Sequence, residues 1–281
     1  MNERFSVSTV IYSGHPIEDS FESLSRLGVQ NIELALIQGA VYGLTESDVT
    51  PGAVQQTKQL LQQYEMACTS IAAHCVLTKE NCCELLLKRV RVCIELSCPR
   101  LIIYAPRDLD LKAFQHQALK AFELAKDSGV RVLIENVGDR LPYMLNDSSD
   151  FEAVTQQLDN DVMGINFDPG NLLSHRPNTD VLHHSLKSLG VAEHIHLKDA
   201  VITDKGYRFC ALGEGVGHYQ ELIHQMKSIE TPFFSIECPL SLVRSHSGET
   251  KLNPIEQIPS IQEIEENLKV SIRLINQGYR T

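Results

Sequence analysis

The stretch VLIENVGD, residues 132–139, is an apolar run that ends in a carboxylate. Residues 132–134 are aliphatic, as in a buried strand, yet Glu135 follows them directly, with Asn136 and Gly138 behind it. Polar residues stand at the same place in three later stretches, which are GINFDPGN (164–171), HIHLKD (194–199) and FFSIEC (233–238). This recurrence predicts that four strand ends meet at one point and hold a metal ion there.

The four stretches belong to a longer alternation of short β-rich runs with helical patterns. The β-rich runs lie at about 5–12, 31–36, 67–74, 101–105, 131–136, 163–168, 193–198 and 233–237. The helical patterns that follow them lie at about 16–27, 51–65, 81–97, 110–128, 149–158, 179–189, 218–230 and 260–277. Eight strand–helix units in a chain of 281 residues predict an α/β fold, a single (β/α)8 TIM barrel.

The domain organisation follows from the same alternation. No linker, low-complexity tract or change of composition divides the chain, so residues 1–281 are predicted to form one domain. Within it, 240–257 is predicted to be a long loop and 260–277 the last helix. The alternative is an open doubly wound sheet, which usually has a glycine-rich phosphate loop after its first strand. The run YSGHPIED (12–19) contains no G-x-G-x-x-G, and this favours the barrel.

Composition narrows the class of protein. The net charge of −11 argues against a broad basic surface for nucleic acid or anionic lipid. No apolar run approaches the roughly 18–20 residues needed to span a membrane, and the N-terminus MNERFSVSTV lacks the apolar stretch of a secretory signal. The eight cysteines include the adjacent Cys82 and Cys83 and no C-x-x-C, which indicates reduced thiols. We therefore expect a cytoplasmic protein that binds neither nucleic acid nor membrane.

Alternate residues of a barrel strand point inward, which places the polar residues at two levels. The level nearest to the C-terminal mouth is predicted to contain Glu135, Asp168, His196 and Glu237. The level below it is predicted to contain Leu133, Asn166, His194 and Ser235. Two carboxylates 4 Å apart repel by roughly 4 kcal/mol at an effective dielectric constant of about 20, so the upper level needs protons or a cation. One divalent metal ion fits this oxygen-rich set; Mn²⁺, Mg²⁺ or Co²⁺ suits it, and Zn²⁺ could also bind.

These motifs resemble the xylose-isomerase-like TIM-barrel superfamily, which includes sugar-phosphate isomerases and epimerases, ketose 3-epimerases, hydroxypyruvate isomerase, inosose dehydratase and endonuclease IV. The resemblance covers nearly the whole chain. Its most specific pieces are IEN (134–136), FDPGN (167–171), H-x-H-x-K-D (194–199), GEG (213–215) and IE (236–237). It implies that the metal ligands are Glu135, Asp168, His196 and Glu237. It also implies substrate contacts for Glu33, which ends the second strand, and for His74, which ends the third.

The sequence departs from this superfamily after the sixth strand. Many relatives have D-x-x-H there, with the histidine in contact with substrate or a second metal, whereas this chain has Asn171 at that place. An asparagine can donate a hydrogen bond to a substrate hydroxyl, but it is a poor metal ligand. Asn171 is therefore predicted to bind substrate, and a site with several zinc ions is disfavoured.

The resemblance implies an isomerase or epimerase that acts on a small sugar or sugar phosphate. A divalent ion would stabilise the enediolate that forms when a proton leaves carbon, with Glu135 and Glu237 as the catalytic pair that removes and returns the proton. Lys198 is predicted either to hold a substrate oxygen or phosphate, or to pair with an acid. His175 is a candidate for substrate contact, as are the loop residues His218 and Arg244.

Three alternatives stay open from the sequence. One is a zinc-dependent phosphodiesterase of the endonuclease IV type, against which Asn171 and the negative net charge count. Another is a dehydratase on the same metal site, and the third is a barrel that binds a sugar as a sensor without turnover. The resemblance also allows a homodimer or a higher oligomer, although no residue in the sequence fixes a contact.

Overall fold

The computed structural model describes residues 4–227 and 232–280. The strands in these residues are β1 (Phe5–Ser8), β2 (Asn31–Ala35), β3 (Ala67–Ala72), β4 (Arg100–Ile103), β5 (Arg131–Glu135), β6 (Met163–Phe167), β7 (His194–Leu197), β8 (Asp199–Thr203), β9 (Gly206–Cys210), β10 (Phe233–Ile236), β11 (Leu242–Arg244) and β12 (Thr250–Leu252). Eight of them close into a parallel barrel in the order β1-β10-β7-β6-β5-β4-β3-β2. The predicted TIM barrel is confirmed, and each of the eight predicted strands is a barrel strand.

The helices lie on the outside of the barrel or at its mouth. They are α1 (Ile17–Arg26), α2 (Pro51–Gln63), α3 (Cys82–Glu95), α4 (Leu111–Gln117), α5 (Leu119–Asp127), α6 (Phe151–Thr155), α7 (Pro169–His175), α8 (Val181–Ser188), α9 (Tyr219–Met226) and α10 (Ile261–Arg280). The helix predicted at 110–128 is divided at Ala118 into α4 and α5. Residues 228–230 of the helix predicted at 218–230 lie outside the described residues.

The start of α2 shows how local sequence fixes an element. Thr50 precedes the helix with extended backbone, and its Oγ1 accepts a hydrogen bond from the backbone N–H of Ala53 at 3.2 Å. Pro51 occupies the first helical position, where its missing N–H leaves no bond unmade. The cap and the proline thus set the residue at which α2 begins.

The barrel strands bury apolar side chains against the helices and polar side chains in the barrel interior. On β5, Val132 and Ile134 belong to the apolar core, whereas Glu135, two residues after Leu133, faces the interior. On the opposite side of the barrel, Ser6 and Ser235 meet through their hydroxyls at 2.7 Å. The interior is therefore held together largely by hydrogen bonds rather than by layers of branched aliphatic side chains.

A second sheet lies at the C-terminal mouth of the barrel. Its strands are antiparallel and follow the order β12-β11-β9-β8. Strand β8 follows β7 directly and β11 comes six residues after β10, so the sheet stands on the mouth of the barrel. The prediction of a long loop at 240–257 needs correction, because β11, β12 and a turn of 3₁₀ helix at Ile255–Gln257 lie within it. Strand β11 pairs with β9, a partner distant in sequence, and β12 pairs in turn with β11.

Two further findings bear on the sequence-based expectations. All eight cysteines lie in the described residues, and each has a free thiol. Among residues 4–227 and 232–280, none of the helices combines the length and the apolar character that crossing a membrane requires.

Candidate metal centre

Four side chains from four neighbouring barrel strands converge at the C-terminal mouth. Glu135 ends β5, Asp168 follows β6, His196 lies in β7 and Glu237 follows β10. One oxygen or nitrogen from each of these side chains lies within 4.8 Å of the corresponding atom of the other three. All four residues are buried. The structure thus brings together the four residues that were predicted as metal ligands.

Asn136 joins the ends of β5 and β6 by two hydrogen bonds to one residue. Its Nδ2 donates to the carbonyl oxygen of Asp168 at 2.9 Å, and its Oδ1 accepts from the backbone N–H of Asp168 at 2.7 Å. Asn136 is fully buried. This pair of bonds fixes the backbone of Asp168 beside Glu135, which gives a physical reason for the asparagine in the IEN motif.

Asp168 is also the N-cap of α7, a helix that the sequence analysis did not predict. Its Oδ1 accepts from the backbone N–H of Asn171 at 3.3 Å, and Pro169 occupies the first helical position. Its other oxygen, Oδ2, is buried beside the candidate metal centre and contacts the ammonium group of Lys198. One carboxylate oxygen therefore orients the side chain, and the other faces the metal centre.

His196 is held from below by Glu33. Its Nε2 lies 3.1 Å from Glu33 Oε2, which also accepts from the hydroxyls of Ser70 and Ser235. The other ring nitrogen, Nδ1, lies 3.3 Å from Glu135 Oε2 and 3.4 Å from Glu237 Oε2. If Nε2–H donates to Glu33, Nδ1 carries the lone pair that a metal ligand needs. The side-chain nitrogen of Asn166 lies 3.1 Å from this Nδ1 and contacts it in the absence of a metal ion.

The electrostatics of this cluster favour a positive charge at its centre. Burial alone would lower the pKa of His196, but Glu237, Glu33 and Glu135 outweigh it and raise that pKa well above its usual range. Burial alone would likewise raise the pKa of Glu33, but the contact with His196 outweighs it and lowers that pKa to about 2. Without a metal ion, a proton on His196 thus supplies positive charge between the carboxylates. A bound divalent cation would replace this proton as the positive charge between the carboxylates.

Lys198, predicted to hold substrate or to pair with an acid, pairs with two acids in the structure. Its Nζ lies 2.8 Å from Glu237 Oε2 and in contact with Asp168 Oδ2. Both partners are candidate metal ligands, and Lys198 is buried with them. Three carboxylates and one ammonium leave a charge of −2 at the centre, when His196 is neutral. A net charge of −2 fits a divalent ion, and so does a donor set of three carboxylates with one imidazole.

His74 and Tyr104 form one wall of a cavity of about 710 Å³ beside this centre. Their rings stack with centroids 3.9 Å apart, and His74 Nε2 lies 3.1 Å from Glu135 Oε2. The cavity is also lined by Gly138, Leu242 and other residues of the mouth. His74 therefore stands between the candidate metal centre and a space large enough for a small molecule.

Asn171 and His175 lie on α7, on the other side of Glu135. Asn171 Nδ2 donates to Glu135 Oε1 at 3.1 Å, and its Oδ1 accepts from Arg244 at 3.0 Å. His175 is buried against Ser174 and Arg244, at 2.8 and 3.4 Å from its Nδ1. In the structure His175 thus contacts Arg244, while Asn171 contacts both Arg244 and a candidate metal ligand.

A second group of potential ligands lies deeper in the barrel and consists of Glu33, His194 and His196. Both ring nitrogens of His194 already have partners, Asn166 Oδ1 at 2.8 Å and Ser235 Oγ at 3.1 Å. Asn166 in turn donates to Glu135 Oε2 at 2.9 Å. These contacts favour a supporting role for the deeper group and metal binding at the upper one.

The family profile described as "Xylose isomerase-like TIM barrel" matches residues 21–269. This chain belongs to the xylose isomerase-like TIM-barrel family. Among curated proteins, none matches the chain.

Solved structures resemble this xylose isomerase-like barrel over nearly its full length. A D-psicose 3-epimerase from Clostridium cellulolyticum H10, solved with D-tagatose, has 10% identity and a TM-score of 0.69, and the match covers 99% of both chains. An L-ribulose 3-epimerase has 14% identity and a TM-score of 0.68, with 98% of this chain and 94% of the other covered. A probable 3-DHS dehydratase from Bacillus anthracis has 15% identity and a TM-score of 0.64, with 95% and 97% covered. At these identities the likeness shows the fold.

Two residues of this xylose isomerase-like barrel gain importance only from the structure. Tyr104 follows β4 in an apolar run, and the sequence analysis did not single it out. From the sequence, Arg244 is a loop residue and one of several candidates for substrate contact. In the structure it lies in β11 and is 7% exposed. A signal for Tyr104 exists, because it lies two residues after Ile102 and so on the same face of the strand.

Proposed function

We propose that this protein is a divalent-metal-dependent isomerase or epimerase that transfers a proton at a carbon next to the carbonyl of a sugar or sugar phosphate. The observation that carries the proposal is the convergence of Glu135, Asp168, His196 and Glu237 within 4.8 Å. Two structural neighbours support it, because they are a D-psicose 3-epimerase and an L-ribulose 3-epimerase. Of the ions that suit this ligand set, Mn²⁺, Mg²⁺ and Co²⁺ are our first choices, and Zn²⁺ is the alternative.

Glu135 and Glu237 are proposed as the catalytic pair. They lie at the C-terminal ends of β5 and β10, which are separated in the barrel by β6 and β7, and their Oε2 atoms lie 3.3 and 3.4 Å from His196 Nδ1. They therefore flank the centre from two sides. One glutamate can remove a proton from one face of a substrate carbon, and the other can return a proton to the opposite face or to the neighbouring carbon. The first outcome is epimerisation and the second is isomerisation.

The electrostatic environment gives the two glutamates different proton affinities. Burial raises the pKa of Glu237, although His196 and Lys198 act against this rise. Burial also acts on Glu135, but His196 and His74 outweigh it and lower the pKa of Glu135 well below its usual range. A bound divalent ion would supply Lewis-acid stabilisation of negative charge on the substrate carbonyl. Without a metal ion, the two glutamates of the pair thus differ in their affinity for a proton.

Substrate positioning is proposed for the polar residues that surround this pair. His74 faces the cavity of about 710 Å³ and contacts Glu135. Asn171 is placed to bond a substrate hydroxyl next to Glu135, and Lys198 to donate to a substrate oxygen beside Glu237. Glu33 is fully buried beneath His196, so we assign it to holding that imidazole instead of the substrate. His175 is assigned to the same indirect role, because its contacts lead to Arg244.

A dehydratase on the same centre is the second candidate. It is favoured by the structural neighbour from Bacillus anthracis, and it needs the same first step, removal of a proton next to a carbonyl. A nuclease of the endonuclease IV type is less well supported. Both potential ligand groups in the described residues share His196, which suits a single ion better than three. The net charge of −11 also opposes a DNA-binding face.

Proton exchange tests the proposal. The purified protein is incubated in D₂O with a panel of ketoses and their phosphates, and loss of the C–H signal next to the carbonyl is followed by proton NMR. We expect exchange on at least one compound, its loss after EDTA treatment and its return with Mn²⁺ or Co²⁺. A product that lacks one water, identified by mass spectrometry, would instead assign the dehydratase reaction.

Variants make this test specific to the centre. Glu237→Gln and Asp168→Asn are expected to lose exchange, because each removes a candidate ligand charge. Glu22→Gln is the matched control, since Glu22 is a surface acid that pairs with Arg26 on α1. Exchange that persists after complete removal of metal would contradict the proposal.

A further inference from the structure

Arg244 is a buried guanidinium without an acidic partner. It is 7% exposed, and no carboxylate oxygen of the described residues lies within 4.0 Å of its nitrogens. Its hydrogen bonds go to Ser174 Oγ at 2.9 Å, His175 Nδ1 at 3.4 Å and Asn171 Oδ1 at 3.0 Å. A buried arginine normally has an ionised partner, because desolvation of its charge is costly. These contacts of Arg244 therefore lack the ionised partner that a buried arginine normally has.

The guanidinium also keeps donors free. An arginine has five N–H donors, and three acceptors use three of them. Nε–H is one of the remaining two, since it has no partner among the described residues. Free N–H bonds on one planar group can bind a carboxylate or a phosphate through two oxygens.

The side chain of Arg244 lies at the edge of the candidate active site. Arg244 lines the cavity of about 710 Å³ together with His74 and Tyr104. One side chain, Asn171, connects it to the metal centre, because this amide accepts from Arg244 and donates to Glu135. Gly138 permits the close approach, since a Cβ at this position would lie 2.7 Å from Arg244 Nη2. A substrate bound next to Glu135 would thus have Arg244 within reach.

Two features of the neighbouring charged groups leave the positive charge of Arg244 available to a substrate anion. The carboxylates of the metal centre are offset by Lys198 and the proposed divalent ion, whereas Glu33 accepts hydrogen bonds from two serines below them. His175 does not compete for positive charge, because burial and the adjacent Arg244 lower its pKa to about 2 and keep it neutral. The nearest imidazole therefore supports the guanidinium as an uncharged acceptor.

Resting on the function proposed above, we propose that Arg244 binds an anionic group of the substrate, so that the natural substrate is an acidic sugar derivative. Carboxylates and phosphates share the chemistry that Arg244 recognises, and the substrate is accordingly a sugar acid or a sugar phosphate. A neutral ketose would leave the guanidinium without its ionic partner. Arg244 is thus a specificity-determining residue, carried to the mouth by β11.

Matched ligands test this inference by binding, independently of turnover. Calorimetry on the Mn²⁺-loaded protein compares D-ribulose, D-ribulose 5-phosphate and D-ribonate. We expect at least one of the two anions to bind about 10- to 100-fold more tightly than the neutral sugar, which is the range for charge-assisted hydrogen bonds. The anion that is preferred identifies phosphate or carboxylate as the natural group.

Variants at two arginines of the same cavity test whether Arg244 causes the preference for the anion. Arg244→Gln is expected to abolish the preference for the anion, and Arg244→Lys to retain part of it, because lysine keeps the charge and loses the planar fork. Arg107→Gln is the matched control, since Arg107 already pairs with Asp139 at 2.6 Å; it should keep the full preference. Thermal unfolding of each variant establishes that it folds.

The outcomes separate this inference from the proposed function. Equal affinity for all three compounds in the wild type, or an unchanged preference in a folded Arg244→Gln protein, would overturn the role of Arg244. An anion preference that depends on Arg244, together with absence of proton exchange, would overturn the proposed reaction and leave the binding role in place. Proton exchange on a neutral ketose, without a preference for an anion, would overturn the role of Arg244 and leave the proposed reaction in place.

Discussion

Glu33 shows how a single buried residue can support a candidate metal centre from below. Its Oε2 accepts from two serine hydroxyls and contacts His196 Nε2, while no atom of its side chain reaches the cavity surface. A carboxylate on the distal nitrogen of a ligating histidine fixes the ring and increases its basicity. We therefore predict that Glu33→Gln weakens Mn²⁺ binding by about 10- to 100-fold, as measured by competition with a metal chelator. Glu22→Gln should bind Mn²⁺ as the wild type does, and equal affinity for both variants would refute this role.

His175 gives a prediction for stability against pH. Its pKa is lowered from 6.5 to about 2 in the folded protein, first by burial and then by Arg244. Between these values the unfolded chain holds a proton at this residue and the folded chain does not, so the free energy of unfolding falls as the pH falls. From pH 7 to pH 5 this residue should cost about 2 kcal/mol of stability.

Substitution of His175 isolates this contribution. His175→Gln keeps an acceptor for Ser174 and Arg244 but cannot bind a proton, so its loss of stability from pH 7 to pH 5 should be smaller by about 2 kcal/mol. Urea unfolding at the two pH values measures the difference. Parallel acid dependences in wild type and His175→Gln would refute the prediction.

The sequence could indicate residues whose position in a strand determines their direction. Glu135, Asp168, His196 and Glu237 could be named because each stands at or just after the end of a strand, and period-two alternation sets the face. Arg244 could not be evaluated in this way, because its direction depends on the pairing of β11 with β9, which is distant in sequence. The role of Asn136 was equally hidden, since its partners are backbone groups of another strand.

At the scale of elements, Asp199 organises the glycine-rich loop that precedes α9. Its carboxylate accepts backbone N–H groups from Gly213, Gly215 and Gly217 at 2.9, 3.0 and 2.9 Å. These bonds give a structural reason for the aspartate of H-x-H-x-K-D and for the GEG motif. The loop follows β9 of the mouth sheet, so Asp199 ties it to β8, the first strand of that sheet.

Gly215→Ala should destabilise the protein by about 1–3 kcal/mol, the usual cost of overpacking. A Cβ at this position would overlap Asp199 Oδ1 and the carbonyl oxygen of Ala200, so one of these groups must move. Gly190→Ala is the control, because a Cβ there meets no atom within 4 Å, and it should change stability by less than about 0.5 kcal/mol. Urea denaturation measures both variants, and equal midpoints would refute the proposed constraint.

The sequence predicted the barrel strands better than the short elements at the mouth of the barrel. The barrel strands were found because each is a short apolar run followed by a helical pattern. Helix α7 was missed, although Asp168 and Pro169 form the cap and first position that commonly begin a helix. The hairpin of β8 and β9 was missed as well, although Val201, Tyr207 and Phe209 are residues that favour strands. In both cases the elements are short and have little periodicity for a sequence pattern to show.

At the scale of the whole molecule, metal binding should be linked to global stability. The four candidate ligands come from strands spread over residues 135–237, so the unfolded chain cannot hold them together. An ion that binds only the folded state stabilises it by about 2.7 kcal/mol at a free concentration of 100 times Kd. We predict that saturating Mn²⁺ raises Tm by several degrees, as measured by differential scanning calorimetry.

The control for this linkage removes one ligand without changing the size of the side chain. Asp168→Asn should unfold at a Tm that is nearly independent of Mn²⁺, whereas EDTA should lower the Tm of the wild type. If Mn²⁺ raised the Tm of both proteins equally, the ion would be acting elsewhere in the molecule.

The hydrogen-bonded interior of the barrel has a consequence for how such a protein can diversify. The serines, histidines and acids that fill the barrel both pack its interior and support the candidate metal centre. A substitution there is therefore expected to disturb folding and the candidate metal centre together. Divergence among descendants of this chain is therefore expected to concentrate in the mouth sheet, where residues such as Arg244 can be exchanged without dismantling the scaffold.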